Sequence, residues 1–287
     1  MSSGITIKSL LNTSFEVLYE SFSKAFKDYE IQLNKDELIE MLQRRGFNAA
    51  LSFGAFDNNE LVAFTFNGIG NHNGIKTAYD TGTGTIKEYR GKGLATQIFE
   101  YSIPHLKEAG IKQYLLEVLQ HNEAAISVYQ KLDFKIEREF NYFVQKHDEV
   151  KLMPKKSSTD YVIHSIEFDS LMDYSHFCDF TPSWQNSLEA IKRRIDTFLL
   201  TGAFYNEKLV GYCVFEPNSG DITQIAINKE YRRSGIGTML LKNVMSHNEH
   251  THIKCINTQL ECSAITQFFA AQNMDVSGKQ FEMIRVL

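Results

Sequence analysis

The chain has 287 residues, enough for two domains of ordinary size, each with its own core. It is 43% hydrophobic and 23% charged with a net charge of −5, a globular composition without the basic footprint that nucleic acid demands. No apolar run approaches the roughly 18 residues of a membrane span and no signal peptide opens the chain, so neither nucleic acid nor membrane is an expected partner. All four cysteines, Cys178, Cys213, Cys255 and Cys262, lie in the second half and form no Cys-x-x-Cys. Free thiols in a reducing cytoplasm are the expectation.

In chain order, Gly54-Ala55-Phe56 and Leu61-Val62-Ala63-Phe64 flank the polar Asp57-Asn58-Asn59-Glu60 and predict a β-hairpin. A β-like run then leads into Tyr89-Arg90-Gly91-Lys92-Gly93-Leu94-Ala95-Thr96. A glycine-rich turn between strand and helix aims several backbone amides at one point. The positive end of the helix dipole faces the same point, a natural seat for phosphate. Gly91-Lys92-Gly93 does not run on into Lys-Ser or Lys-Thr, as a nucleotide P-loop would, and there is no full Gly-x-Gly-x-x-Gly. Behind the loop, Leu94/Ile98 and Ala95/Phe99 give an apolar helical stripe for packing on a sheet. Residues 151–160, polar and interrupted by Pro154, predict a linker.

The same order then returns. Trp184, the only tryptophan, precedes a helical stretch and is expected in packing. Gly202-Ala203-Phe204 and Leu209-Val210-Gly211-Tyr212 flank a second polar turn. Tyr231-Arg232-Arg233-Ser234-Gly235-Ile236-Gly237-Thr238 stands 142 positions after the first glycine loop, again ahead of an apolar stripe, Ile236/Leu240/Val244. His247, His250 and His252 fall where helix gives way to strand, a setting for solvated loop histidines rather than a metal. The repeat predicts two related domains, 1–150 and 161–287, each an α/β (α+β) mixed sheet with helices.

Arg90…Gly93…Ala95 and Arg232…Gly235…Gly237 match the pattern Arg/Gln-x-x-Gly-x-Gly/Ala. The stretch Leu116 to Phe134 matches a strand and helix ending in Tyr-x-x-x-Gly-Phe, with Asp133 in place of glycine. In these residues the chain resembles the GNAT superfamily of acetyl-CoA-dependent N-acetyltransferases, as a tandem two-domain member over nearly its whole length. Asp tolerates a left-handed helix end, so Asp133 should leave the fold intact.

The resemblance implies two GNAT-like domains, each a mostly antiparallel sheet with a splayed parallel pair that acetyl-CoA straddles. In the first, Thr83, Gly84 and Thr85 would bond the pantetheine arm. Arg90, Gly91, Lys92, Gly93, Leu94, Ala95 and Thr96 would hold the pyrophosphate, and Asn122 would contact the arm. Tyr129 would face the thioester sulfur as general acid, and Glu117 matches a position that serves as base in some members. Phe26 and Tyr29 would lie in the segment that forms the acceptor lip, on the lip itself or in the core. The chemistry asks for both proton carriers. Deprotonating a lysine-like amine at pH 7 costs about 4.6 kcal/mol, and a thiolate of pKa near 8.5 leaves more easily with a proton donor.

In the second copy Ile225, Ala226, Ile227, Arg233, Ser234, Gly235, Ile236, Gly237 and Thr238 would form the corresponding cradle. Cys262, Phe269 and Asn257 fall opposite Asn122, Tyr129 and Glu117, and Asn273 takes the glycine-like turn. A phenyl ring donates no proton and an amide is no base, so this copy is expected to keep its cradle without its catalysts. The expected function is acetyl transfer from acetyl-CoA to a primary amine, small-molecule or peptide, by direct attack in a ternary complex, mainly in the first domain. A monomer or homodimer fits. The alternatives are an active second domain or a non-catalytic acyl-CoA-binding regulatory protein.

Overall fold

The computed structural model describes residues 4–28, 32–152 and 160–287, which leaves Tyr29 and residues 153–159 of the expected linker outside. The chain divides into two compact units, Met1–Glu137 with Glu282–Leu287, and Arg138–Phe281. Among the described residues no helix is long and apolar enough to cross a membrane.

The first unit runs β1 (Thr6–Ser9), α1 (Phe15–Ala25), α2 (Lys35–Arg44), β2 (Phe53–Asp57), β3 (Glu60–His72), β4 (Ile75–Thr85), α3 (Leu94–Glu108), β5 (Gln113–Leu119), α4 (Glu123–Lys131) and the start of β6 (Lys135–Lys146). Local chemistry sets many boundaries. Asn34 and Glu37 form a capping box on α2, and Ser14 caps α1. The β2–β3 turn places Asn58 and Asn59 at φ 47° and 70°, the left-handed pair that a two-residue hairpin turn needs. Helices cover both faces of the sheet. Leu18, Phe22, Leu38 and Leu42 of α1 and α2 pack on Phe64 and Phe66. Leu94 and Ile98 of α3 pack against Ala55, Val62 and Ala63 on the other side.

The second unit takes β6 from Arg138 onward and continues through β7 (Tyr161–Ser165), α5 (Phe168–Tyr174), α6 (Leu188–Arg193), β8 (Leu199–Tyr205), β9 (Lys208–Glu216), β10 (Asp221–Ile227), α7 (Ile236–His247), β11 (His252–Gln259), α8 (Ser263–Ala270) and the first half of β12 (Val276–Val286). It repeats the hairpin with Asn206 and Glu207 at φ 47° and 64°. Its α7 packs Ile236, Leu240, Leu241 and Val244 on one sheet face. Leu171 and Ile191 of α5 and α6 pack with Tyr212 and Val214 on the other.

The chain ends exchange strands between the units. Within the second unit β6 pairs antiparallel with β11, from His252↔Lys146 to Gln259↔Phe140. The last residues of β12, from Glu282, belong instead to the first unit and lie beside β5. There the Leu287 amide donates to the Lys112 carbonyl at 2.9 Å, and Arg285 Nη1 donates to the Leu132 carbonyl at 2.8 Å.

Candidate active site

The parallel pair β4–β5 is joined only at Thr77↔Gln113, Ala78↔Tyr114 and Tyr79↔Leu115. From Asp80 on, the strands part. A β-bulge marks the point: Asn67↔Asp80 is followed by Phe66↔Gly82, leaving Thr81 as the extra residue. Thr83, Gly84 and Thr85 therefore lie on the open arm of β4, still paired with β3 along their other edge.

Beyond that arm comes the glycine loop. Gly91 and Gly93 adopt φ 76° and 71°, and Gly93 is the N-cap of α3, so no cap side chain bonds the first-turn amides. A side chain placed on Gly91 would meet nothing within 4 Å, so the backbone here lies open to a ligand. These exposed donors and the helix dipole fit an anionic diphosphate such as that of acetyl-CoA. Arg90 is bound elsewhere: its Nε donates to the Thr85 carbonyl at 3.2 Å and its Nη2 to the Ala25 carbonyl at 2.7 Å, beside Asp28. It ties the end of α1 to the end of β4 and thereby shapes the loop. Lys92 is exposed, with Nζ 4.4 Å over the Tyr89 ring.

Two tyrosine–carboxylate pairs flank the splay. Tyr129, on α4, stands edge-on to Phe99 and Phe134, and its hydroxyl points at Asp80 Oδ2 at 3.4 Å. Asp80 also accepts from Thr83 Oγ1 at 2.8 Å and from the Gly82 amide at 2.9 Å. Burial pushes its carboxyl up to about 6, against the three hydrogen bonds, which pull it down. The second pair is Tyr79 and Glu117, whose side chains are hydrogen-bonded; burial, then the Glu117 charge, lifts the Tyr79 hydroxyl well above its ordinary range. Tyr114 turns toward α3, 5.3 Å from Phe99. Alternation along β5 therefore puts Glu117 on the opposite, α1–α2 face. Phe26 caps α1 on that face, 4.5 Å from Phe22 and 6.4 Å from Phe64. Asn122 caps α4, accepting from the Ala125 amide through Oδ1.

Tyr79 and Asp80 were not singled out by the sequence. The signal available for Asp80 was the repeat itself, since its counterpart across the 142-residue offset is Ile222. The structure supports that register, because β10 carries its own bulge between Ile222 and Gln224.

The second unit keeps the splay, with β10 and β11 paired in parallel at Asp221↔Lys254. It also keeps the arginine tie, Arg232 Nε to the Ile227 carbonyl at 3.0 Å and Nη2 to the Phe177 carbonyl at 3.4 Å. A cavity of about 250 Å³ opens at this place, lined by Ile225, Ala226, Ile227, Arg233, Gly235, Ile236, Gly237 and Thr238. Ser234 does not line it, and its hydroxyl donates to the Tyr231 carbonyl. The chemistry around the cavity differs from the first unit. Phe269 is fully buried against Phe143, and Asn257, at φ 58°, donates to Ser183 Oγ and accepts from Gln280. Cys178 lies 3.1 Å from the Tyr212 hydroxyl, and burial raises both groups. Cys262 holds the N-cap position of α8 as Asn122 does of α4, but without a side-chain cap bond. Asp133 and Asn273 end α4 and α8 at φ 61° and 64°, the left-handed turns expected of them.

Comparison with known proteins agrees with this layout. The family model described as Acetyltransferase (GNAT) family matches residues 15–134 and again 164–267. An N-alpha-acetyltransferase 30 of Schizosaccharomyces pombe is 32% identical over 99 residues, covering 34% of this chain and 66% of that protein, just under two thirds of its length. Two solved structures share the fold end to end. A tandem GNAT protein from the clavulanic acid biosynthesis pathway, solved without acetyl-CoA, superposes with a TM-score of 0.75 at 11% identity, covering 98% of each chain. A GCN5-related N-acetyltransferase from Sphaerobacter thermophilus gives 0.72 at 11% identity, covering 98% of this chain and 95% of its own.

Proposed function

Since this chain belongs to the acetyltransferase (GNAT) family, we propose that it transfers the acetyl group of acetyl-CoA to a primary amine, with the chemistry in the N-terminal unit. The observation that carries this reading is the coincidence, in that unit alone, of an open amide loop, a splayed strand pair and a tyrosine on the helix facing the splay. When bound, acetyl-CoA supplies the acetyl group as a thioester. The amides from Gly91 to Thr96 hold the diphosphate and the open arm of β4, Thr83 to Thr85, aligns the pantetheine. Tyr129 gives its proton to the departing thiolate. Glu117 takes the proton that the amine sheds, directly or through water, from the α1–α2 face.

The acceptor class follows from the cost of freeing the amine. An α-amine with a pKa near 7.8 is deprotonated at pH 7 for about 1 kcal/mol, against about 4.6 for a lysine. The Schizosaccharomyces pombe relative is named for α-amino acetylation, so a peptide or small-molecule α-amine is the first class to assay. The test is a panel of such amines with acetyl-CoA, following free CoA and the +acetyl product by mass. Wild type should turn over and Tyr129→Phe should be slowed by about 10²–10⁴. Equal rates for the two proteins would refute the role of Tyr129.

A second reading concerns the other unit, whose cavity of about 250 Å³ lies where the cradle is expected, while the buried Phe269 stands where the first unit has Tyr129. We read it as a holding site for an acyl-CoA without turnover. Native mass spectrometry of the full chain should then show two acetyl-CoA bound per chain, one of them retained after the amine is added. A stoichiometry of one would leave this unit structural.

A further inference from the structure

Asp80 is the most unusual group beside the candidate active site. It is a carboxylate with 9% of its surface exposed, set on a β-bulge at the point where two parallel strands part. Its partners are Thr83 and the Gly82 amide on its own strand and Tyr129 across from α4. The other titratable groups near it are Arg45 at the end of α2, Tyr114 on β5 and Tyr79 on β4. Arg45 Nη1 donates to the Thr81 carbonyl, and the Arg45 charge pulls the Asp80 carboxyl down against the burial that lifts it. The repeat supplies a control for what the position does. In the second unit the bulge survives but the carboxylate is Ile222, and the facing tyrosine is the buried Phe269. The two groups that touch each other in one copy are both apolar in the other. The bulge therefore does not require the carboxylate.

We propose that Asp80 is a positioning residue for Tyr129: it donates its carboxyl proton to the phenol oxygen, turns the hydroxyl toward the departing sulfur, and resupplies the phenol after it has given its proton away. This rests on the acetyl-transfer reading above. Tyr129 passes its O–H proton to the sulfur as the C–S bond breaks. Asp80 passes its proton to the phenolate left behind. Glu117 takes the proton released as the new N–C bond forms. One proton then returns to Asp80 from solvent and one leaves Glu117, so the count closes with both residues restored.

The working form of Asp80 is the protonated one. Its carboxyl already sits near 6, and covering it with an acyl donor removes more water, which pushes it further in the same direction. An ionised Asp80 would instead accept from the Tyr129 hydroxyl and hold the proton away from the sulfur. The contribution of Asp80 to rate is therefore greatest at low pH and is lost as pH rises through its own pKa.

The test is the ratio of wild-type to Asp80→Asn kcat across pH 5 to 9, with amine and acetyl-CoA saturating, so that amine ionisation cancels. Wild type should lead on the order of tenfold at the acid end, a fraction of the 10²–10⁴ of full general acid catalysis. The lead should shrink with rising pH and vanish at the alkaline end. Adding Asp80→Asn to Tyr129→Phe should cost nothing further, since the carboxyl acts through the phenol. In wild type, the ring carbon bearing the Tyr129 hydroxyl should report a titration with its midpoint near 6 in the carbon-13 spectrum, whatever the variant's folding. A ratio independent of pH, additive losses in the double variant, or a Tyr129 signal with no such step each overturns the proposal. Wild-type protein that transfers no acetyl group overturns the acetyl-transfer reading with it, whereas a wild type that turns over with a flat ratio overturns this inference alone.

Discussion

Asp80 and Ile222 occupy the same step of two β-bulges, and the difference between them is also a difference in stability. A carboxyl raised from 3.8 to about 6 by burial prefers its neutral form in the folded protein. The resulting stability is fully present below the unfolded value and is lost as pH rises through about 6, a penalty on the order of 3 kcal/mol at pH 7 and above. Asp80→Asn should accordingly raise the melting temperature at pH 7.5, by the equivalent of about 2 kcal/mol, and leave it unchanged at pH 4. Thermal denaturation at the two pH values checks this, and equal shifts at both would remove burial as the cause. The reverse experiment is Phe269→Tyr. It sets a hydroxyl into a fully buried site against Phe143, which should cost about 1–3 kcal/mol. It should not restore turnover to a Tyr129→Phe chain, because Asn257 stands where Glu117 would take the proton of the amine.

Among the elements, the glycine loops bear the most weight, and their arginines separate architecture from ligand binding. Arg90 and Arg232 make the same pair of bonds, one to the carbonyl five residues back on the strand and one to the end of the preceding helical segment. Arg90→Ala should lose about 1–3 kcal/mol with these bonds and lower the melting temperature. Lys92→Met, at an exposed side chain, should stay within about 0.5 kcal/mol. Denaturant melts of the two variants would expose an error if their order were reversed. This division of labour was not legible in the sequence, where Arg90 and Lys92 sit in one motif. What was legible was local: both hairpins, both loops, both amphipathic helices, and the left-handed ends at Asp133 and Asn273 all follow from residue type within a few positions. Glu117 and Tyr129 could be named because they belong to a contiguous pattern. Tyr79 and Asp80 could not, because their meaning depends on where β4 leaves β5, and a parting of strands has no local signature. The strand exchange is hidden for the same reason. Residues 135–146 and 276–286 both read as strands, and periodicity says nothing about which neighbour each will pair with.

The first unit draws on both ends of the sequence. The first unit is completed by the last six residues, Glu282–Leu287, which include the fully buried Met283. Arg285 bonds the Leu132 carbonyl at the C-cap of α4, one turn past Tyr129. The bond holds the end of the helix that carries the Tyr129 phenol. Removing Glu282–Leu287 forfeits the burial of Met283, about 1.5–3 kcal/mol, and two hydrogen bonds at about 1 kcal/mol each. Against a typical total of about 5–15 kcal/mol, a loss of that size leaves the N-terminal unit marginal. A chain ending at Phe281 should therefore melt well below the full-length protein and lose acetyl transfer more steeply than Arg285→Ala, which removes only the bond to α4. Arg285→Ala itself should lower kcat while leaving the binding of acetyl-CoA to the loop of Gly91–Gly93 within a few-fold, as calorimetry can measure. Full activity in the truncated chain would mean that the N-terminal unit is finished without the end of β12, and that α4 is held by its own sheet alone.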